Sequence, residues 1–153
     1  ELKIPFTVFV VPSYIQSGNP YYLTVSQLKE LAAVPGCRVG SHGMNHKPLT
    51  QLDPAALAAE LKDSRRWLED ALGQPVTMIS YPYGLANRAV KEAAAKAGYL
   101  LGACSRTQTN DALRDPLMLC RTEIVADDSL RSFKKKTSGG WDWHRLRRHD
   151  PAL

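Results

Sequence analysis

The chain has 153 residues, 44% hydrophobic and 23% charged, a balance that suits one globular domain and excludes disorder throughout. No apolar run approaches the ~20 residues of a membrane-spanning helix, and three widely spaced cysteines exclude both a disulfide framework and a CxxC metal site. Net charge is +5, but six Lys or Arg against two Asp in residues 134–153 account for +4 of it, so a nearly neutral body ends in a basic tail.

Residues 4–11 (IPFTVFVV) are β-branched and aromatic without alternation, the pattern of a strand buried on both faces. The run is short, broken by Pro5 and Thr7, and has no basic leader, so it does not read as a signal peptide. Residues 12–22 hold Pro, Ser, Gly and Asn and read as a loop. Thr24 and Gln27 have capping-box spacing, predicting a helix over 25–34 that Pro35-Gly36 stops. Residues 37–41 (CRVGS) form a short predicted strand and 42–52 a loop.

Asp53 as N-cap, Pro54 as first helical residue and Gly73 as left-handed terminator frame a long helix with Leu57, Leu61, Leu68 and Leu72 on one stripe. A strand follows over 76–81, then a Pro82-Tyr83-Gly84 turn. A helix over 88–97 is capped by Asn87 and ended by Gly98, and another strand covers 99–105. Residues 106–116 are loop-like, 117–125 a further predicted strand and 128–136 a short helix with acidic residues at its start. Cys37 and Cys104 fall in predicted strands as small buried hydrophobes, which points to a reducing, cytoplasmic compartment ahead of the periplasm or cell envelope.

Strands alternating with helices predict an α/β fold with a mainly parallel sheet, either open or part of a barrel. Chemistry in such folds gathers at the C-terminal strand ends, where the loops 12–22, 42–52, 82–86 and 106–116 all emerge. We divide the chain into a domain over 1–137 and a basic tail over 138–153, hinged at Ser138-Gly139-Gly140. The tail reads as a solvated end in preference to an anionic-surface or nucleic-acid contact. No base-reading element is visible, and no nucleic-acid partner is expected.

Two segments carry possible chemistry. Ser41-His42-Gly43-Met44-Asn45-His46 closes a predicted strand, and histidines four apart on one helical turn can reach a single ion; neutral imidazole suits zinc and similar divalent metals. Two surface histidines in a polar loop would have the same spacing, but the strand-end position favours a metal site. Ser80-Tyr81-Pro82-Tyr83-Gly84 closes the next strand, where a backbone N–H held in a tight turn can point at a developing oxyanion. A packed strand-to-helix turn is the alternative.

Together, these segments resemble the polysaccharide deacetylase family, the carbohydrate esterases with the NodB homology domain. The resemblance runs over about residues 4–133 through FTVFVVP, YLTVSQL, VGSHGMNHKPL, YPYG and AGY, in the family's order and spacing. It implies a distorted (β/α) barrel, here incomplete at its N-terminal strand, and metal-dependent hydrolysis of N-acetyl groups on a polysaccharide of the N-acetylglucosamine type. His42 and His46 would be metal ligands, with Zn2+ the usual ion. The Tyr83 backbone N–H would stabilise the oxyanion, and Tyr14, Tyr81 and Pro82 would contact the sugar.

The chain departs from the pattern in several places. The family's Asp-Asp pair, which supplies a metal ligand and the catalytic base, precedes the segment matching residues 4–11. Gly43 stands where Ser or Thr is usual, and Ser80 where many members have Arg. Leu119-Cys120-Arg121 stands roughly where a Leu-x-His motif would supply the general acid, and neither His144 nor His149 in the tail is expected to replace it. The competing expectation is a catalytically impaired carbohydrate-binding module that keeps the fold. A missing first strand would also expose a sheet edge, which the tail, a partner chain or a second copy is expected to cover.

Overall fold

The computed structural model of the chain describes residues 3–140. Four strands, β1 (Phe6–Val10), β2 (Cys37–Ser41), β3 (Met78–Ser80) and β4 (Leu101–Ala103), form one parallel sheet in the order β1-β2-β3-β4. Register runs from Phe6 opposite Cys37 to Val10 opposite Ser41, and from Met78 opposite Leu101 to Ser80 opposite Ala103. Because sequential strands are also spatial neighbours, each connection must cross over the sheet, and all C-terminal strand ends emerge together. Among the described residues the result is an open arc of sheet that does not close into a barrel.

Helices α2 (Val25–Ala32), α3 (Pro54–Leu72) and α4 (Arg88–Lys96) cover the sheet, while α5 (Leu130–Thr137) follows it. The local signals act as expected. Thr24 and Gln27 complete the capping box of α2, Asp53 accepts from the amides of Ala55 and Ala56, and Gly73 ends α3 with φ 68°. The core is built from Leu57, Leu61 and Leu68 of α3, Val90 and Ala94 of α4, Val39 and Ile79 of the sheet, and the rings of Tyr81 and Tyr99. Among the described residues, no helix is long and apolar enough to cross a membrane.

Four expectations need correction. The 12–22 loop contains a short helix, α1 (Pro12–Gln16), which Pro12 starts. β1 is not buried on both faces, since Phe6 is 42% exposed and Val10 alone in the strand is buried; among the described residues β1 pairs with β2 only. In place of a strand over 117–125 there is a 3-10 turn (Pro116–Met118) and a single parallel bridge from Leu119 to Ala103. Asp128 does not begin α5: Ser129 caps it, and Asp128 instead accepts bonds from Val125, Ser132 and Lys136. Residues 141–153, most of the basic tail and its expected role at the sheet edge, lie outside the described residues.

Candidate active site

The C-terminal end of β2 delivers His42 to the face predicted for chemistry. Its amide donates to the Val10 carbonyl at 2.8 Å, so the strand pairing itself sets the residue's position. Beneath it lies a buried hydroxyl network. Ser41 Oγ is 2.8 Å from Ser64 Oγ and accepts the Gly43 amide, and Ser64 Oγ is 3.0 Å from the Tyr99 hydroxyl. A backbone strap completes the support, with the Ser13 amide of α1 donating to the Met44 carbonyl at 3.1 Å.

The histidine segment is not the helical turn that its spacing predicts. It is a loop that reverses through two left-handed residues, Gly43 (φ 77°) and His46 (φ 56°). The loop still brings the two imidazoles together, with ring centroids 4.8 Å apart at an interplanar angle of 66°. Its shape is held by Glu60 on α3, a buried carboxylate that accepts both the Asn45 backbone amide and, at 2.9 Å, the Asn45 side-chain amide.

The His42 tautomer follows from its partner. Nδ1 lies 2.6 Å from the Ser80 carbonyl, which can only accept, so Nδ1 carries the proton and Nε2 keeps its lone pair. Burial lowers the proton affinity of His42. The Ser80 bond opposes that shift, while the charges of His46 and Arg121 reinforce it. A neutral imidazole with its Nδ1 anchored to a carbonyl is the form that ligates metals.

Tyr83 sits across from His46 with ring centroids 4.8 Å apart. Its backbone is left-handed, φ 59°, inside the turn that Pro82 opens. The turn's bonds run from the Gly84 amide to Tyr81 and from the Leu85 amide to Pro82, and the Tyr83 amide takes no part in them. Among the described residues that amide meets no acceptor, and Tyr83 is 58% exposed. Tyr14 is 6.2 Å from His46 between ring centroids and stacks on Tyr22 at 4.6 Å and 17°, so the pair forms an aromatic ledge beside the histidines.

Two expected sugar contacts fall elsewhere. Tyr81 is fully buried, its hydroxyl donates to the Leu117 carbonyl at 2.8 Å, and burial pushes its phenol well above the ordinary range, with Asp115, Cys104 and Tyr99 adding to the effect. Pro82 is fully buried as well, so neither ring has a face to offer a ligand. Both shape the turn. The sequence reading passed over Tyr22 and Glu60. Glu60 was detectable in principle as a carboxylate on the buried stripe of α3 with Leu57, Leu61, Ser64 and Leu68, where an apolar residue is the rule. Among the described residues no group of three His, Cys, Asp or Glu side chains gathers to hold a metal.

The open parallel α/β sheet thus carries two neighbouring imidazoles and an unpaired turn amide at its C-terminal edge. The chain belongs to the polysaccharide deacetylase family, whose model matches residues 1–102. It is 35% identical over 109 residues to YxkH of Bacillus subtilis (strain 168), which carries the family's name; the match covers 71% of this chain and 37% of that protein. The structure is similar to the Streptococcus pyogenes deacetylase PplD in complex with acetate, at TM-score 0.81 and 28% identity, over 88% of this chain and 59% of that one. A polysaccharide deacetylase from Bacillus cereus shares the fold at TM-score 0.77 and 22% identity, over 87% of this chain and 42% of that one. The chain thus spans between 37% and 59% of the length of these relatives.

Proposed function

We propose that this chain forms the histidine side of the active site of a metal-dependent hydrolase that removes N-acetyl groups from an N-acetylglucosamine-type polysaccharide. The observation that supports it is the pairing of His42 and His46 at 4.8 Å with the unpaired Tyr83 amide beside them. The donor set fits a divalent cation, with Zn2+ the expected one: His42 is neutral, its Nδ1 is tied to Ser80 and its Nε2 is free. When bound, such an ion supplies Lewis-acid polarisation of the acetyl carbonyl and lowers the pKa of water.

This chain's residues do the rest by position. His42 and His46 would hold the ion, and the Ser80 bond keeps the His42 ring from turning. The Tyr83 amide donates to the oxygen that gains charge when water adds to the acetyl carbon. The C–N bond then breaks, acetate leaves, and the sugar amine takes up the proton. Acetate, the molecule bound in the S. pyogenes structure, is the product such a reaction releases. Two imidazoles are an incomplete ligand set, and we assign the third ligand and the base to the aspartate pair that the family carries ahead of the strand resembling residues 4–11.

A second reading, a carbohydrate-binding module without catalysis, draws on the absence of a carboxylate in the histidine cluster among the described residues. Zinc titration and acetate release from N-acetylglucosamine oligomers separate the two. We expect a chain extended upstream to release acetate with zinc present, and His42→Ala and His46→Ala to abolish zinc binding and release together. Oligomer binding without acetate release from the extended chain would establish the binding module.

A further inference from the structure

Spacing along the chain pairs none of the three cysteines, but the fold sets two of them side by side. Cys104 follows β4, and Cys120 follows the 3-10 turn (Pro116–Met118). The Leu119 amide donates to the Gly102 carbonyl at 2.7 Å and the Cys104 amide to the Leu119 carbonyl at 2.9 Å, which makes Ala103 and Leu119 parallel partners. One step further on, Cys104 stands opposite Cys120. Neighbouring strands lie ~4.7–4.9 Å apart, inside the ~4.4–6.8 Å between Cα atoms that a disulfide spans. The Cys104 thiol leans across the gap and donates to the Leu119 carbonyl at 3.3 Å. Both cysteines are free thiols in the interior, Cys104 0% and Cys120 4% exposed.

The backbones on either side are held independently of the sulfurs. The Cys120 amide donates to the Asn110 side chain at 2.8 Å, and the Cys120 carbonyl accepts from the same side chain at 3.0 Å. The Arg121 Nε–H donates to the Cys104 carbonyl at 3.2 Å. Arg114 is fixed by an Nε–H bond to the Met118 carbonyl at 2.9 Å and directs an Nη–H at the Cys120 sulfur. A thiol packed only for its volume needs no such donor, and a guanidinium beside it favours the thiolate. On the far side, Ser105 donates its hydroxyl to the Tyr83 carbonyl at 3.4 Å and its amide to the Gly84 carbonyl at 3.3 Å.

We infer that Cys104 and Cys120 form a modification site, a dithiol that a hydroperoxide closes to a disulfide, tying the end of β4 to the segment that carries Arg121. Cys120, the less buried sulfur and the one beside Arg114, reacts first. Its thiolate attacks one peroxide oxygen, the O–O bond breaks, and the departing hydroxide takes the Cys120 proton as water. The Cys104 sulfur then attacks the sulfenic sulfur, the S–O bond breaks, and the second water leaves with the Cys104 proton. Two thiols are oxidised and one peroxide is reduced to two waters. Burial pushes the Cys120 thiol up; the Arg114 guanidinium opposes this and Cys104 adds to it. The pair is therefore slow to oxidise, and only sustained peroxide closes it. The bond makes the support behind the Tyr83 turn covalent through Ser105, and it takes no part in the proposed hydrolysis.

The whole chain is treated with excess hydrogen peroxide, unfolded, alkylated and mapped by mass spectrometry, with Cys37 at the start of β2 as the internal reference. The expected product is a crosslinked pair of peptides that contain Cys104 and Cys120. Closing the short loop between them should raise Tm by about 5–10 °C, and dithiothreitol should reverse the shift. Cys104→Ser and Cys120→Ser should each lose both the crosslink and the shift. Recovery of both thiols alkylated, Cys120 sulfinic acid without a crosslink, or crosslinks made only through Cys37 would overturn the assignment. A Cys104–Cys120 crosslink that leaves Tm unchanged or lower would overturn it too, since the bond would not then clamp the two segments. Mapping the unmodified chain needs no variant, so the test stands even where a serine variant fails to fold.

Discussion

Replacing Glu60 with alanine tests whether the histidine loop is shaped by one buried carboxylate. Glu60 accepts the backbone and side-chain amides of Asn45, the residue just before His46. Hydrogen bonds to a charged group contribute ~1.5–3 kcal/mol each, and a donor left buried without a partner costs ~1–3 kcal/mol. Against this, the alanine variant no longer desolvates a carboxylate, which returns part of the loss. The expected net destabilisation is ~2–4 kcal/mol by denaturant titration. Zinc should bind ~10–100-fold more weakly, because residues that orient ligands from behind have effects of that size. Glu60→Gln keeps the shape and one acceptor oxygen, so it should fall between the two proteins on both measures. If Glu60→Ala unfolds within ~0.5 kcal/mol of the parent, a change too small for these bonds, and binds zinc equally well, Glu60 does not position the loop.

Tyr81→Phe removes a hydroxyl bonded at 2.8 Å to the Leu117 carbonyl. It should cost ~1–2 kcal/mol of stability without changing the affinity for N-acetylglucosamine oligomers; a clear loss of sugar affinity with stability unchanged would return the ring to the binding site. Asp128 is held at about 2 by Lys136 first and then by the Val125 amide. A carboxylate depressed below its unfolded value of ~3.9 contributes fully above that pH and loses its contribution as pH falls towards the folded value. Amide exchange in α5 should therefore quicken as pH drops from ~4 to ~2, after correction for intrinsic exchange rates. Asp128→Asn should flatten the profile, and an unchanged profile in that variant would place the titration elsewhere.

The parts of the fold legible in the sequence are those fixed by local chemistry. Asp53, Pro54 and Gly73 define α3 because a cap, a first-turn proline and a left-handed terminator each act within a few residues. The parallel arrangement followed from the alternation of strands and helices. What local pattern could not supply was the environment of each element. Residues 4–11 look like an interior strand, and only the sheet order shows that β1 has one neighbour among the described residues. Residues 117–125 are apolar enough for a strand, yet Asn110 and Arg106 take the amides of Cys120 and Arg121, and pairing stops after Leu119.

The site divides in the same way. The residue types and the strand-end location of His42, His46 and Tyr83 were readable, as was the turn at Pro82. The partners were not, because Ser80, Glu60 and Ser64 lie 38, 15 and 23 positions from the groups they hold. Tyr81 and Pro82 look like ligand contacts in sequence because they flank Tyr83. A tight turn sends adjacent side chains in different directions, and here two of the three point into the core.

Among the described residues, the non-glycine positions with positive φ are His46 and Tyr83, and their ring centroids lie 4.8 Å apart, tilted at 60°. A left-handed non-glycine residue costs roughly 1–2 kcal/mol, so the loop and the turn each hold strain where the chemistry is proposed. Tyr83 separates strain from function. Tyr83→Gly relieves the backbone cost, loses a half-exposed ring, and adds ~0.5–1 kcal/mol of unfolded-chain entropy, so its stability should stay within ~1 kcal/mol of the parent. Tyr83→Ala keeps the strain and also loses the ring, so it should be the less stable of the two. Both variants keep the amide. If the amide is the oxyanion donor, acetate release by the upstream-extended chain should retain kcat within about tenfold in both, with any loss of ring contact appearing in KM. A fall in kcat of ~10²–10³-fold, the usual effect of deleting an oxyanion donor, would show that the ring or its hydroxyl acts. An alanine variant more stable than the glycine variant would show that Tyr83 carries no left-handed strain.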